Sequence, residues 1–428
     1  MRQWPIATAI LLAMALPAAA SEAGDMLAQR LYDGTLAEGY DDTIRLCDEY
    51  NSDACFAAGL SEFLGGIEAL SRAMYRHGAT TPSTPVAALL LGMDMMGETG
   101  VPGNSSPEPL SYAQLRTILG DFVFALDTAR AHFEMADIGT GYVITIDPLK
   151  VRVDLDGDGT AEAVETLGAL LGSVNAFGGM AAPDASQAGG KDKTPDSEPT
   201  DTTIGFDNAD AIWFAGYTQV VAAPIDLLLA HDFSDFFSTF LHRVFPKAGL
   251  PMQEYSTGGT LFMDADSDSY IADLIAAIHT VDFPVIDAAR LAGVRDRLKS
   301  ITALSRQNWK SILAETDDNR ELVPSPRQTS IVPDMAVTEK TVAAWMTTLD
   351  TFDQILDGKL LVPHWRFDQG FDLKAYFETA SETDLVLLIS GSAALPYIKP
   401  GPIADAQSFA EANEAFGADW LNYAFWFN

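Results

Sequence analysis

Residues 52–78 read SDACFAAGLSEFLGGIEALSRAMYRHG. Phe56, Leu60, Phe63, Ile67, Leu70 and Met74 follow one another at steps of three or four. Only a helical chain brings groups at that spacing onto one face, whereas a strand needs strict alternation. The stretch predicts one long helix that stops near Gly78, where a residue without a β-carbon ends it cheaply.

The same period extends outward along the chain. Ser111, followed three residues later by Gln114, has the spacing of a capping box, and Leu115, Leu119, Phe122, Leu126 and Phe133 continue that helix's apolar face. Residues 79–110, rich in Pro, Gly, Ser and Thr, predict a long irregular connection between the two helices. Asp207 can cap a helix through AIWFAGYTQVVAAPIDLLLAHD, with a kink expected at Pro224. Further helices are expected around 234–245, 269–280, 286–314 and 338–357, and in DAQSFAEANEAFG near the end. LLVPHW suggests a strand, and DLVLLISGSAAL fits either state. YVITIDPLKVRV, from Tyr142 to Val153, is alternating and β-branched around Asp147-Pro148 and predicts a small β-hairpin. The expected fold is mainly α, a multi-helix bundle with a small β-hairpin leading into an acidic loop.

That loop, VDLDGDGTAEAVE from Val153, places aspartates at alternate positions. Like charges so close repel unless a cation sits between them, and calcium prefers six to eight hard oxygen ligands. Counted from Asp154, Asp156 and Asp158 stand third and fifth, Gly159 sixth, Thr160 seventh, Glu162 ninth and Glu165 twelfth. These residues resemble the loop of the EF-hand family. The resemblance implies Ca2+ held by Asp154, Asp156 and Asp158, the Thr160 carbonyl, Glu162, and both oxygens of Glu165. Two departures stand out. Ala161 occupies the eighth position, where sister loops pair through an aliphatic residue, and the loop follows an expected strand. AEAVETLGALLGSV after it looks helical. A single strand–loop–helix site points to a structural ion more than to a sensor.

Composition narrows the class. The first residues, MRQWPIATAILLAMALPAAA, combine Arg2, a short apolar run and small residues at Ala18 and Ala20, which reads as a signal peptide cleaved after Ala20. No later stretch is expected to span a bilayer, and periplasmic or secreted localisation follows as an expectation. The formal charge is −34, one unit lower without Arg2. Nucleic acid is therefore excluded as a partner and cations are favoured. Cys47 and Cys55, an even pair in an exported chain, predict one disulfide closing a short loop. The expected organisation is a signal peptide at 1–20 and an N-terminal helical region at 21–181. A disordered insert or linker, polar throughout, at 182–203 and a C-terminal helical region at 204–428 follow.

Weaker patterns occur elsewhere in the chain. Asp264, Asp266 and Asp268 repeat the alternation, but Ser269 replaces the turn glycine and Ile275 stands at the twelfth position, so a capped helix start is the better reading. His231, Asp232, Asp235 and His242 lack a specific metal spacing. Ser392 in ISGSAAL would need a strand–turn–helix setting and a later histidine to serve as a nucleophile, and the last histidine is His364. The polar run ETDDNRELVPSPRQT from Glu315 is long for a loop. Across the chain, LDLDGDG, AIWFAGY, LAETDDN and YAFWFN resemble a set of bacterial exported proteins of unassigned function, which implies a shared fold and no activity. The expected function is an exported calcium-binding protein with a binding or interaction role in the cell envelope and no catalytic residues. The alternative is an exported hydrolase with an unrecognised active site.

Overall fold

The computed structural model describes residues 22–38, 40–48, 51–80, 102–138, 141–162, 164–166, 201–330 and 337–428. The expected signal peptide at 1–20, residues 182–200 of the polar insert and the helix expected from residue 167 onward lie outside the described residues.

The protein is mainly helical. Four long helices form a row: α3 (Ser52–Arg76), α4 (Tyr112–Ala136), α5 (Asn208–Leu229) and α8 (Ala288–Ile312), each packed on the next. Before them come α1 (Glu22–Asp33) and α2 (Tyr40–Asp48), both against α3. Between α5 and α8 lie α6 (Ser234–Phe240) and α7 (Ala265–Thr280). The C-terminal part contributes α9 (Glu339–Leu356), α10 (Leu373–Thr379), α11 (Leu385–Ser390), α12 (Ala410–Phe416) and α13 (Trp420–Phe427).

Local chemistry sets these boundaries. Ser111 accepts from Gln114 N while Gln114 reaches back to Ser111 N, the reciprocal capping expected for α4. Asp207 and Asp210 do the same for α5, which runs on through Pro224. On α3, Phe56, Leu60 and Met74 are buried, and Phe63, Ile67 and Leu70 pack partly buried against the core. Gly59 lets α4 approach closely, since a β-carbon there would lie 2.8 Å from the Phe133 ring. Phe133 in turn stacks on Phe214 of α5, with ring centroids 5.2 Å apart.

By length and composition α5 is long and apolar enough to cross a membrane, in contrast to the expectation from sequence. Here it lies between α4 and α8 and carries buried Asp210, Gln219 and Asp226. Arg297 of α8 clamps it: Nε lies 2.5 Å from Asp226, Nη1 is 2.9 Å from Gln219, and the fork grips Asp127 of α4 at 2.6 and 2.7 Å. The largest core cluster draws side chains from both sides of the polar insert, from Leu31 and Phe56 to Trp309, Trp345 and Phe427.

The strands are short: β1 (Ile144–Ile146), β2 (Ile204–Phe206), β3 (Asp282–Pro284), β4 (Gly370–Phe371), β5 (Glu382–Asp384) and β6 (Ile398–Lys399). They pair antiparallel as β1–β2, β3–β5 and β4–β6. The hairpin expected around Asp147-Pro148 does not form. Asp147 instead accepts from Leu149 N and caps a 3-10 turn at Pro148–Lys150, so the chain turns without returning along β1. The partner of β1 is β2, on the far side of the polar insert, in register Ile144↔Phe206. LLVPHW contributes only isolated bridges at Leu361 and Val362, and DLVLLISGSAAL becomes α11, closed by Gly391 at φ 108°. Cys47 and Cys55 are joined as expected.

Candidate metal centre

Arg152 and Thr166 form an antiparallel bridge, and Val153 N donates to Glu165 O at 3.0 Å, so the two ends of the acidic loop meet. Val153 and Leu155 point into the protein, and Asp154 between them is only 5% exposed. The loop's carboxylates accept its own backbone N–H groups. Asp154 Oδ1 takes Gly157 N at 2.6 Å and Oδ2 takes Gly159 N at 3.1 Å. Asp156 takes Asp158 N at 3.1 Å, and Asp158 accepts both the backbone N–H and the hydroxyl of Thr160. Those two bonds hold the Asp158 carboxyl below its ordinary range. Gly159 makes the sharp turn at φ 91°, a conformation that a β-carbon would strain. As a result Asp154, Asp156 and Asp158 each bring a carboxylate oxygen within 4.8 Å of the others.

Glu162 and Glu165 are not in that set. Glu162 is exposed. Glu165 is buried, with Oε1 accepting from Leu155 N at 2.9 Å and Oε2 from Glu162 N at 2.8 Å. Each carboxylate oxygen has two acceptor sites, so one remains on each after these bonds. Behind the loop stands α3: buried Glu68 accepts from Asp154 N at 3.2 Å, and Arg72, ion-paired with Glu68, lies 3.5 Å from Asp154 Oδ2. Among the described residues, 161, 162 and 164–166 are not helical, and Thr166 is held in the bridge at the loop's base. The donor set is all hard oxygen, with three converging carboxylates, and it fits a calcium-like cation better than a metal that seeks nitrogen or sulfur.

A second carboxylate group escaped the sequence reading. Asp207, Glu315 and Glu321 also bring oxygens within 4.8 Å of one another, beside buried Asp210. Burial, together with the Asp207 charge, pushes Glu315 up to about 8. Burial and the same neighbour push Glu321 up to about 7 and outweigh its hydrogen bond from Asn319 N. Asp207 rises to about 6 through burial, and Asp210 is raised by burial and by Asp207. Gln328 donates to Glu315 at 3.1 Å. Asp207 was legible as a helix cap and Glu315 as part of a long polar loop. Their meeting is a long-range contact with no local pattern.

The remaining candidates take structural positions. Asp264 caps α7 through Ser267 N, and Asp268 accepts from three successive backbone N–H groups, Leu261 to Met263. His231 uses both ring nitrogens, on Leu227 O and Thr383 Oγ1, while His242 binds Asp273, so the two histidines serve separate partners. Ser392 follows the end of α11, and no strand leads into it. An open apolar depression is lined by Phe352, Pro363, Ala404, Asp405, Phe409 and Trp420 and contains neither carboxylate group. A comparison of the chain with protein-family models, curated protein sequences and solved structures finds no match in any of the three.

Proposed function

We propose that this is an exported calcium-binding protein, with the cation structural and the protein serving a binding or interaction role in the cell envelope. One observation carries the reading: Asp154, Asp156 and Asp158 converge on one side of a loop turned by Gly159, at the spacing a calcium loop requires. Calcium would supply the charge that lets these carboxylates stay together. Asp154, Asp156 and Asp158 would hold it, with Thr160, Glu162 and Glu165 as the further ligands. Glu68 and Arg72 then tie the loop to α3, so a filled site would fasten residues 151–166 to the long-helix row.

Isothermal titration of the mature protein with calcium tests this. Glu165→Gln alone is ambiguous, because Glu165 also anchors Leu155 N and Glu162 N. Asp156→Asn supplies the second arm, since it removes a charge at a partly exposed position and keeps an acceptor for Asp158 N. Stoichiometric uptake by wild type, weakened in both variants, is expected. No uptake by wild type refutes the proposal.

The hydrolase reading has its own support in Glu315 and Glu321, whose carboxyls hold protons near neutral pH as a general acid must. Hydrolysis of a chromogenic ester or glycoside panel that is lost in Glu315→Gln would favour it.

A further inference from the structure

α7 buries one face and leaves apolar side chains exposed on the other. Its inner face packs on α6 through buried Asp273 and Ala277, with Asp273 held by His242 at 3.0 Å and by Arg243. About 100° of turn per residue puts Ile271, Ile275 and Ile278 together on the opposite face. They are 43%, 52% and 50% exposed. Asp268 lies on that same stripe, one turn before Ile271. Its carboxylate accepts from Leu261 N, Phe262 N and Met263 N at 2.5 to 3.2 Å, which fixes the preceding loop at the head of the stripe. Leu261 and Phe262 stand out from it at 76% and 87% exposure, and Met263 at 58%.

Asp268 thereby joins the Leu261–Met263 loop to the head of the isoleucine stripe, so the six side chains follow one another along it. At about 200 Å² for a fully exposed large side chain, they offer on the order of 700 Å² of apolar area. That exceeds the roughly 300–600 Å² of the largest patch on an ordinary monomer and approaches the roughly 800 Å² that each partner contributes to a stable interface.

We propose that this face is a homodimer interface in which two copies pair α7 antiparallel about a two-fold axis at Ile275. A two-fold presents the same patch to itself, so Ile275 meets its own counterpart and Ile271 meets Ile278 of the second copy. Charge selects the antiparallel sense. The acidic residues Asp264, Asp266 and Asp268 sit at the start of α7 and His279 in its last turn. Antiparallel pairing separates the two acidic ends by the helix length, about 24 Å. That is well beyond the screening length of about 8 Å in physiological salt. It also sets His279 of each copy beside Ile271 of the other, whereas parallel pairing would crowd the six aspartates together. The same acidic rim opposes an anionic lipid surface as the occupant.

Sedimentation velocity of the full mature chain at micromolar concentration tests the proposal. A dimer is expected. Ile275→Glu, which puts a charge at the axis on each copy, should raise its dissociation constant by about 100-fold or more with an unchanged helical signal. Cys47 and Cys55 are paired, so an introduced thiol is unique. With copper phenanthroline as oxidant, Ile275→Cys alone should give a covalent dimer. Ile271→Cys alone should not, and an equal mixture of Ile271→Cys and Ile278→Cys should. A monomeric wild type, a dimer indifferent to Ile275→Glu, or no cross-link through Ile275→Cys overturns it. So does flotation of wild type, but not Phe262→Ser, with phosphatidylcholine vesicles, which would assign the face to lipid. A monomer that binds no hydrophobic dye also overturns it, because the face is then covered from within the chain.

Discussion

Replacing Glu315 by Gln should make the protein more stable at pH 8 and leave it nearly unchanged at pH 5. In the folded state the Glu315 carboxyl holds its proton up to about pH 8, against 4.5 when free. The folded chain therefore binds more protons than the unfolded chain between those values, and stability falls as pH rises. The contribution is intact below about 4.5 and is lost progressively as pH passes through the folded value. The full rise would correspond to about 5 kcal/mol at about 1.4 kcal/mol per unit. Part of it is repulsion from Asp207 and Glu321, which titrate over the same interval and share that energy, so a loss of about 2–3 kcal/mol for Glu315 is the working figure. Glutamine keeps an oxygen for the Gln328 amide and removes the charge. Urea unfolding at pH 5 and pH 8, in chelator so that no cation enters the cluster, measures the difference. The chain's overall negative charge acts on both proteins alike and cancels. If Glu315→Gln were less stable than wild type at pH 8, or kept the same pH slope, these carboxylates would not be burying charge against each other and the reasoning would fail.

Chelating calcium should lower the melting temperature by several degrees, with hydrogen-exchange protection falling mainly in residues 151–166; at a hundredfold excess over Kd the bound ion adds about 2.7 kcal/mol. Loss of protection confined to α8 and α9 instead would refute a local fastener. Arg297→Met should cost about 3–5 kcal/mol, since it leaves Asp226 as a buried carboxylate short of its main partner. A second change, Asp226→Leu, should recover part of that loss in a double-mutant cycle, and strict additivity would count against the clamp. Changing both Cys47 and Cys55 to Ser should cost about 2–3 kcal/mol in the chain-entropy model, read by urea unfolding, with the helical signal retained.

The parts of the fold that were legible in the sequence are those whose chemistry is local. The stripe from Phe56 to Met74 and the capping pairs at Ser111 and Asp207 each depend on residues within one or two turns, and the structure keeps them. The hairpin failed for the opposite reason. Tyr142 to Ile146 has a strand's pattern, but no local pattern says which strand it joins, and β2 comes after the insert. The convergence of Asp154, Asp156 and Asp158 was legible because the spacing of these carboxylates is local too. What could not be read was the loop's backing by Glu68 and Arg72, from a helix whose periodic signal marks only its apolar side. The Asp207–Glu315–Glu321 group and the exposed apolar face of α7 were hidden likewise, since burial and exposure are decided by packing.

The pairing of β1 with β2 sets Ile146 opposite Ile204, across the polar insert in sequence. The segment that follows β1 leans on α1. Asp147 N donates to the Tyr32 hydroxyl, Arg152 N donates to Leu31 O, and Ala161 sits against Gly34 just past the helix end. The end of α1 is thus gripped by the acidic loop's own neighbourhood, while its apolar face rests on α3. Mechanically, α3 and the acidic-loop segment hold α1 in parallel, one along its length and the other at its last turn. A pull on the first turn of α1 would strip it from α3 before it loaded the three attachments at the far end, so this segment acts as the last catch and not the first.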